Sequence, residues 1–186
     1  MKRYTTLNKR HILSTICQIF DPLGLVAPVI IIAKLIIQEL WKQRLSWHEE
    51  VPVNIKNLWS SFQNELGCLN DLKIPRHCLI SEYVLIELHG FSDASEKAYG
   101  ACLYLRSFHS SKGCFSSLLH AKTRVAPLKT ISLPRLELCG AVLLANLARK
   151  AANALEISYN ERSFWTDSTI TLPWIKSDPS RWKTFV

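Results

Sequence analysis

The chain has 186 residues, 48% of them hydrophobic, which is enough for one ordinary core or a core with a smaller neighbour and too apolar for a disordered segment. Its 23 Lys+Arg against 15 Asp+Glu leave +8, with 10 basic against 8 acidic residues in 1–90 and 13 against 7 in 91–186. The basic second half suits a polyanion such as nucleic acid without requiring one. Six cysteines (Cys17, Cys68, Cys78, Cys102, Cys114 and Cys139) show no C-x-x-C and no Cys/His spacing for a tetrahedral zinc site. They read as buried or reduced thiols of an intracellular protein. The six histidines form no metal-ligand spacing either.

The N-terminal "MKRYTTLNKRHILST" is basic but has no continuous apolar run or cleavage site, so a signal peptide is not expected. Residues 9–20 place Ile12, Leu13, Ile16, Ile19 and Phe20 at helical spacing, and "DPLG" (Asp21–Gly24) then signals a turn. Pro28 can open a second helix at its first position, where its missing N–H costs nothing, and that helix is expected to run to about Leu45. Its apolar stretch is interrupted by Pro28, Lys34, Gln38 and Glu39, whereas a membrane span needs about 20 mostly uncharged residues. A buried helix fits better, and no membrane partner is expected. Pro52 opens a third helix with Leu58, Trp59, Phe62 and Leu66 on one stripe and Gly67 as its stop.

"LKIPRHC" breaks the helical pattern, and from Tyr83 three strand-like runs follow: "YVLIELHGF", "AYGACLYLR" and "FSSLLHAKTRV". Short connections between them predict an antiparallel meander, with the middle run, apolar on both faces, as its central strand. A long helix is expected from Pro134 to about Leu155, then a short strand "RSFW", then "TDSTITLPWIK". The order βββ-α-β-α predicts a mixed sheet covered by helices on at least one face. The fold class is therefore α/β (α+β), with a helical module over residues 1–78 and a sheet domain over 79–186.

Three acids stand out. Asp93 and Asp167 come just past the ends of the first and fourth strands, each after an aromatic-rich apolar run. Glu137 lies near the start of the long helix, and its helical neighbours Gly140, Ala141, Leu144 and Ala148 are small and apolar, so it faces the sheet. Singly, each has a structural explanation: a helix-dipole partner for Glu137, turn or cap residues for the two aspartates. Three acids converging in a half-buried site repel one another unless a positive charge lies between them. Hard oxygen ligands suit Mg²⁺ or Mn²⁺, and two such ions about 3.5–4 Å apart can activate water and stabilise a leaving oxygen in phosphodiester cleavage.

The runs "GFSDASEKAYGACLYLR", "LLHAKTRVAPLKTISLPRLELCGAVLLANLA" and "FWTDSTITLPWIKSDPSRWKTFV" resemble the ribonuclease H region of the Pol polyprotein of Pao-type (BEL/Pao) long-terminal-repeat retrotransposons. The upstream "KRHILSTICQIFDPLGLVAPVIIIAKLIIQELW" resembles the thumb and connection of the same polyproteins. The likeness runs from about Lys9 to Val186, and "FDPLG", "FSDAS", "LPRLEL" and "WTDS" in that order are specific as a set. The resemblance implies that Asp93, Glu137 and Asp167 are the catalytic acids that coordinate Mg²⁺ (or Mn²⁺) in a five-stranded ribonuclease H-like sheet. It implies hydrolysis of the RNA strand of an RNA–DNA hybrid, read largely by shape and 2′-hydroxyls. The remainder of a Pol polyprotein would be its partner.

The chain departs from that pattern in three ways. The family's fourth acid is expected beyond Val186, since Asp178 stands too close to Asp167 for that role; the domain is thus expected to be C-terminally incomplete, as is its active site. Pro173 falls within the expected second helix, where it would remove a backbone hydrogen bond. The aspartate pair of a polymerase palm would lie upstream of Met1.

Two other readings compete with the nuclease. An aspartic peptidase presents Asp-Thr/Ser-Gly, but here Asp93 is followed by Ala-Ser and Asp167 by Ser-Thr. A non-catalytic nucleic-acid-binding remnant would use the basic residues alone. Trp165, Trp174 and Trp182 could stack on bases, yet such spacings are more often core.

Overall fold

The structure, a computed structural model, describes residues 6–182. The chain divides into two compact units, one of residues 6–22 with Pro28–Ile74, the other of Leu23–Ala27 with residues 75–182. The division thus falls after Ile74 and not at residue 78, and the short segment Leu23–Ala27 belongs with the sheet.

The first unit is helical: α1 (Lys9–Ile16), α2 (Ala27–Lys42, all but its first residue in this unit) and α3 (Val53–Glu65), followed by a 3₁₀ turn at Leu66–Asp71. Asn8 caps α1 by accepting the His11 N–H at 3.0 Å, and the buried Lys9 donates to the Leu45 carbonyl at 2.9 Å. The Lys9 ammonium lies 3.8 Å from the centre of the Trp41 ring, so the charge is held by a carbonyl and an aromatic face. Ile12, Ala33, Ile36, Leu40, Ile55, Trp59 and Phe62 form the core.

Several expectations for this unit are corrected. The first helix ends at Ile16, not Phe20, because the chain tightens through Ile19 N–H to Ile16 C=O (3.0 Å) and the residue before Pro22 is disfavoured in a helix. Phe20 is consequently 89% exposed. In α3 the buried stripe is Ile55, Trp59 and Phe62, at i, i+4 and i+7, and Leu58 points outward. The α-helix ends at Glu65, with Leu66 as its C-cap and Gly67 next, and the backbone continues through Gly67 as the 3₁₀ turn. The second helix ends at Lys42, with Arg44 in the left-handed region just after it.

In the second unit β1 (Leu85–Ala94), β2 (Ala98–His109) and β3 (Gly113–Val125) form the expected meander. After α4 (Leu133–Leu155), β4 (Glu161–Trp165) returns parallel to β1, giving the order β3-β2-β1-β4. The fold is thus a mixed α/β one, with four strands among the described residues where the resemblance implies five. Alternation fixes the inner face: Ile86 and Leu88 of β1 and Ala101, Leu103 and Leu105 of β2 are buried. Against them α4 sets Leu143, Leu144, Leu147, Ala148 and Ala151 at helical spacing.

The "DPLG" motif has a specific place here. Leu23 offers its carbonyl to the Ala121 N–H at 2.8 Å, on β3. Gly24, with φ +69°, lies against the Ala121 backbone where any Cβ would collide. The last helix, α5 (Thr171–Lys176), is a single short turn and a half. Pro173 lies inside it without breaking it: as its third residue, it occupies a position whose N–H has no partner within a helix anyway. None of the six cysteines is disulfide-bonded, and none is fully buried; Cys17, Cys68 and Cys114 are exposed. No helix among the described residues is long and apolar enough to cross a membrane.

Candidate metal centre

The register of the two parallel strands brings the aspartates together. Phe91 of β1 pairs with Trp165 of β4, and Asp93 and Asp167 each stand two residues further along their chains. Asp93 is not past the end of its strand, as expected, but its penultimate residue, opposite Gly100. The pairing persists because the hairpin closes tightly, the Ser95 N–H donating to the Ala98 carbonyl at 2.8 Å. One Asp93 oxygen, Oδ1, accepts the Ala94 N–H at 2.7 Å.

Asp167 follows β4 on a short loop that is tied to the start of α4. The Ser168 hydroxyl donates to Thr171 Oγ1 at 2.9 Å and accepts the Thr171 N–H at 3.2 Å. Thr171, fully buried, passes its own hydroxyl hydrogen to the Pro134 carbonyl at 3.3 Å. That chain of bonds joins the Asp167 loop to the first turn of the helix that carries Glu137.

Glu137 is the fifth residue of α4, beyond the first turn, so the helix dipole does not account for it. It is 7% exposed, and its Oε2 is buried with no hydrogen-bond partner. One turn on, Gly140 lets the helix lie close to β1: a Cβ there would stand 3.4 Å from the Asp93 carbonyl oxygen. The three carboxylates each place an oxygen within 4.8 Å of the others. Burial pushes the Glu137 carboxyl above its ordinary range; Asp93 and then Asp167 add to the rise, and the Ala94 N–H opposes it.

A buried carboxylate oxygen without a partner, facing two further acids, is a costly arrangement for the protein alone. A divalent cation held among the three would supply the missing partner and cancel the repulsion. The donor set is all oxygen, which suits Mg²⁺ or Mn²⁺. Asp178 is not part of this cluster; its carboxylate accepts the Ser180 N–H at 2.9 Å. The tryptophans read as core are not buried: Trp165 is 55% exposed, and Trp174 and Trp182 meet each other at 6.0 Å between ring centres.

The fold is a mixed sheet crossed by one long helix, with acids gathered where two parallel strands end. Residues 8–168 match the model of the Pao retrotransposon-like RNaseH-like domain, and the chain belongs to that family. The motif resemblance of the sequence and the family match therefore agree. A solved structure of the foamy viral protease-reverse transcriptase in complex with dsDNA is similar at 14% identity and a TM-score of 0.36, over 94% of this chain and 38% of that one. This chain thus spans well under half of that structure's length. A search of curated proteins gave no match.

The fold brings together the three acids singled out in the sequence, and the residues that set them in place carry weaker signals. Ser168 and Thr171 had a visible signal, the hydroxyl-rich "TDSTIT" after a strand, which is the composition of a side-chain cap. Gly140 was recognised only as a small neighbour of Glu137.

Proposed function

We propose that Asp93, Glu137 and Asp167 hold one or two divalent cations, Mg²⁺ or Mn²⁺, and that the site hydrolyses RNA in RNA–DNA hybrids. The observation that carries this reading is the buried, unpartnered Glu137 Oε2 within 4.8 Å of two other carboxylates. Membership of an RNaseH-like family supports it. When bound, such cations supply Lewis-acid stabilisation of a phosphoryl oxygen and lower the pKa of water near it.

The protein's own contribution is placement. Glu137, rigid on a long helix, offers an oxygen that needs no desolvation when a cation arrives. Asp93 is steadied by the Ala94 N–H, and Asp167 by the Ser168–Thr171–Pro134 bonds. The two aspartates are exposed, which leaves the cluster open to a phosphodiester from solvent. In this reading the helical unit is a thumb/connection-like module, the remainder of a Pol polyprotein is the partner, and the work of reverse transcription places the chain inside the cell.

The test is cleavage of an end-labelled RNA–DNA hybrid with Mg²⁺ or Mn²⁺, comparing the chain with Asp93→Asn. Cleavage of the RNA strand alone, reduced at least a hundredfold by the substitution, is the expected result. Equal rates in both proteins would refute it. Hybrid bound without product in either would leave the binding-only reading standing instead.

A further inference from the structure

Beside the acidic cluster the second unit carries a groove of about 540 Å³ whose charge is entirely of one sign. One wall is β3, where Lys122 and Arg124 stand at alternate positions opposite Ala101 and Tyr99, on the face that α4 covers. The other wall is the flank of α4, where Cys139, Val142, Asn146 and then Arg149 and Lys150 recur at helical spacing. Four cations therefore line the groove, and no carboxylate does. None of the four is in an ion pair with a carboxylate among the described residues. Arg149 is steadied by Asn146, to whose Oδ1 it donates at 3.0 Å.

A groove lined by cations with no carboxylate among them lowers the free energy of a bound polyanion. The groove also has a direction. Its Arg124–Cys139 end lies two residues along α4 from Glu137, and Lys150 lies 13 residues from Glu137, about 20 Å along the helix.

We propose that this groove between α4 and the β2–β3 ribbon holds the sugar–phosphate backbone of one strand of the hybrid, with Lys122, Arg124, Arg149 and Lys150 neutralising its phosphates. The proposal rests on the metal-centre reading for the identity of the ligand, but it stands on different residues and is measured by binding. Its specificity is for backbone charge and not for base sequence.

The experiment is binding of a fluorescent RNA–DNA hybrid in chelator across a salt series, for the wild-type chain and for K122A/R124A/R149A/K150A. Each lost phosphate contact lowers the slope of log affinity against log salt by about 0.9, so four lower it by about 3.6. Between 50 and 200 mM salt the wild type is expected to lose on the order of a hundredfold more affinity than the variant. A milder pair, K122Q/R149Q, which keeps polar, hydrogen-bonding side chains, is expected to lower the slope by about half as much. Exposed cations outside the groove serve as the control: K112A/K129A/K176A is expected to change the slope by less than one. An unchanged slope in the quadruple variant, or one no lower than the control's, overturns the proposal. Asp93→Asn, which tests the metal centre through cleavage, is expected to bind in chelator at least as well as wild type, so failure of one reading is distinguishable from failure of the other.

Discussion

Replacing Glu137 by Gln removes a charge that the cation-free protein holds at a cost. The Glu137 carboxyl is raised above its ordinary value of 4.5 by burial, then by Asp93 and Asp167. The native state therefore keeps a proton on this group over a pH window in which the unfolded chain has released it. Since stability changes with pH as protons bound unfolded minus protons bound native, it must fall as pH rises through that window. Below the window both states carry the proton and the cost vanishes. A buried polar atom without a partner costs about 1–3 kcal/mol and a charged one more, and it is the charge's share that Gln, neutral but still polar, removes. For a chain of this size each kcal/mol moves the midpoint by about 2–4 °C. In chelator at pH 7, Glu137→Gln is expected to melt roughly 2–10 °C above wild type by circular dichroism, and the gap should close towards pH 4. With Mg²⁺ the order should reverse, because a ligand at a hundred times its Kd adds about 2.7 kcal/mol to the protein that binds it. A variant less stable than wild type in chelator at pH 7, or a gap that does not depend on pH, would refute the electrostatic reasoning.

Gly24→Ala should destabilise the chain by about 1–3 kcal/mol, since it demands a left-handed φ of +69° and drives a Cβ into the Ala121 backbone; chemical denaturation measures it, and a change under 0.5 kcal/mol would show that the contact is not made. Thr171→Val keeps the shape but strips the bonds to Ser168 and Pro134, and should cost about 1–2 kcal/mol while weakening Mn²⁺ binding in calorimetric titration. Loss of stability with unchanged metal affinity would mean that this anchor does not position Asp167. Leu103→Ala, at a fully buried point of the central strand, should cost about 2–5 kcal/mol in the same denaturation assay.

The sheet was legible because its signals are local. Alternating and doubly apolar runs announced β1, β2 and β3 within two or three residues, and the meander follows from their short connections. The acids were legible by a different route, as charges in contexts where a turn residue would have sufficed. What escaped notice depends on register and distance. That Asp93 and Asp167 stand equally far beyond a paired Phe91 and Trp165 cannot be read without knowing the β1–β4 alignment. The Thr171–Pro134 bond spans 37 residues, and the Gly24–Ala121 contact nearly a hundred. Helical periodicity misled where it was followed too far: Phe20 and Leu58 fit the apolar spacing yet face outward, because a turn or a neighbouring helix decides which of several apolar faces is covered. The basic groove was visible only as an excess of charge, since its cations come from a strand and a helix that the fold brings side by side.

Anomalous scattering from crystals soaked in Mn²⁺ tests the metal centre most directly. The expected result is a peak among the three carboxylates, about 2.0–2.3 Å from oxygens of Asp93, Glu137 and Asp167, and absent in Glu137→Gln. A peak that touches only one of them, or survives the substitution unchanged, would contradict the assignment.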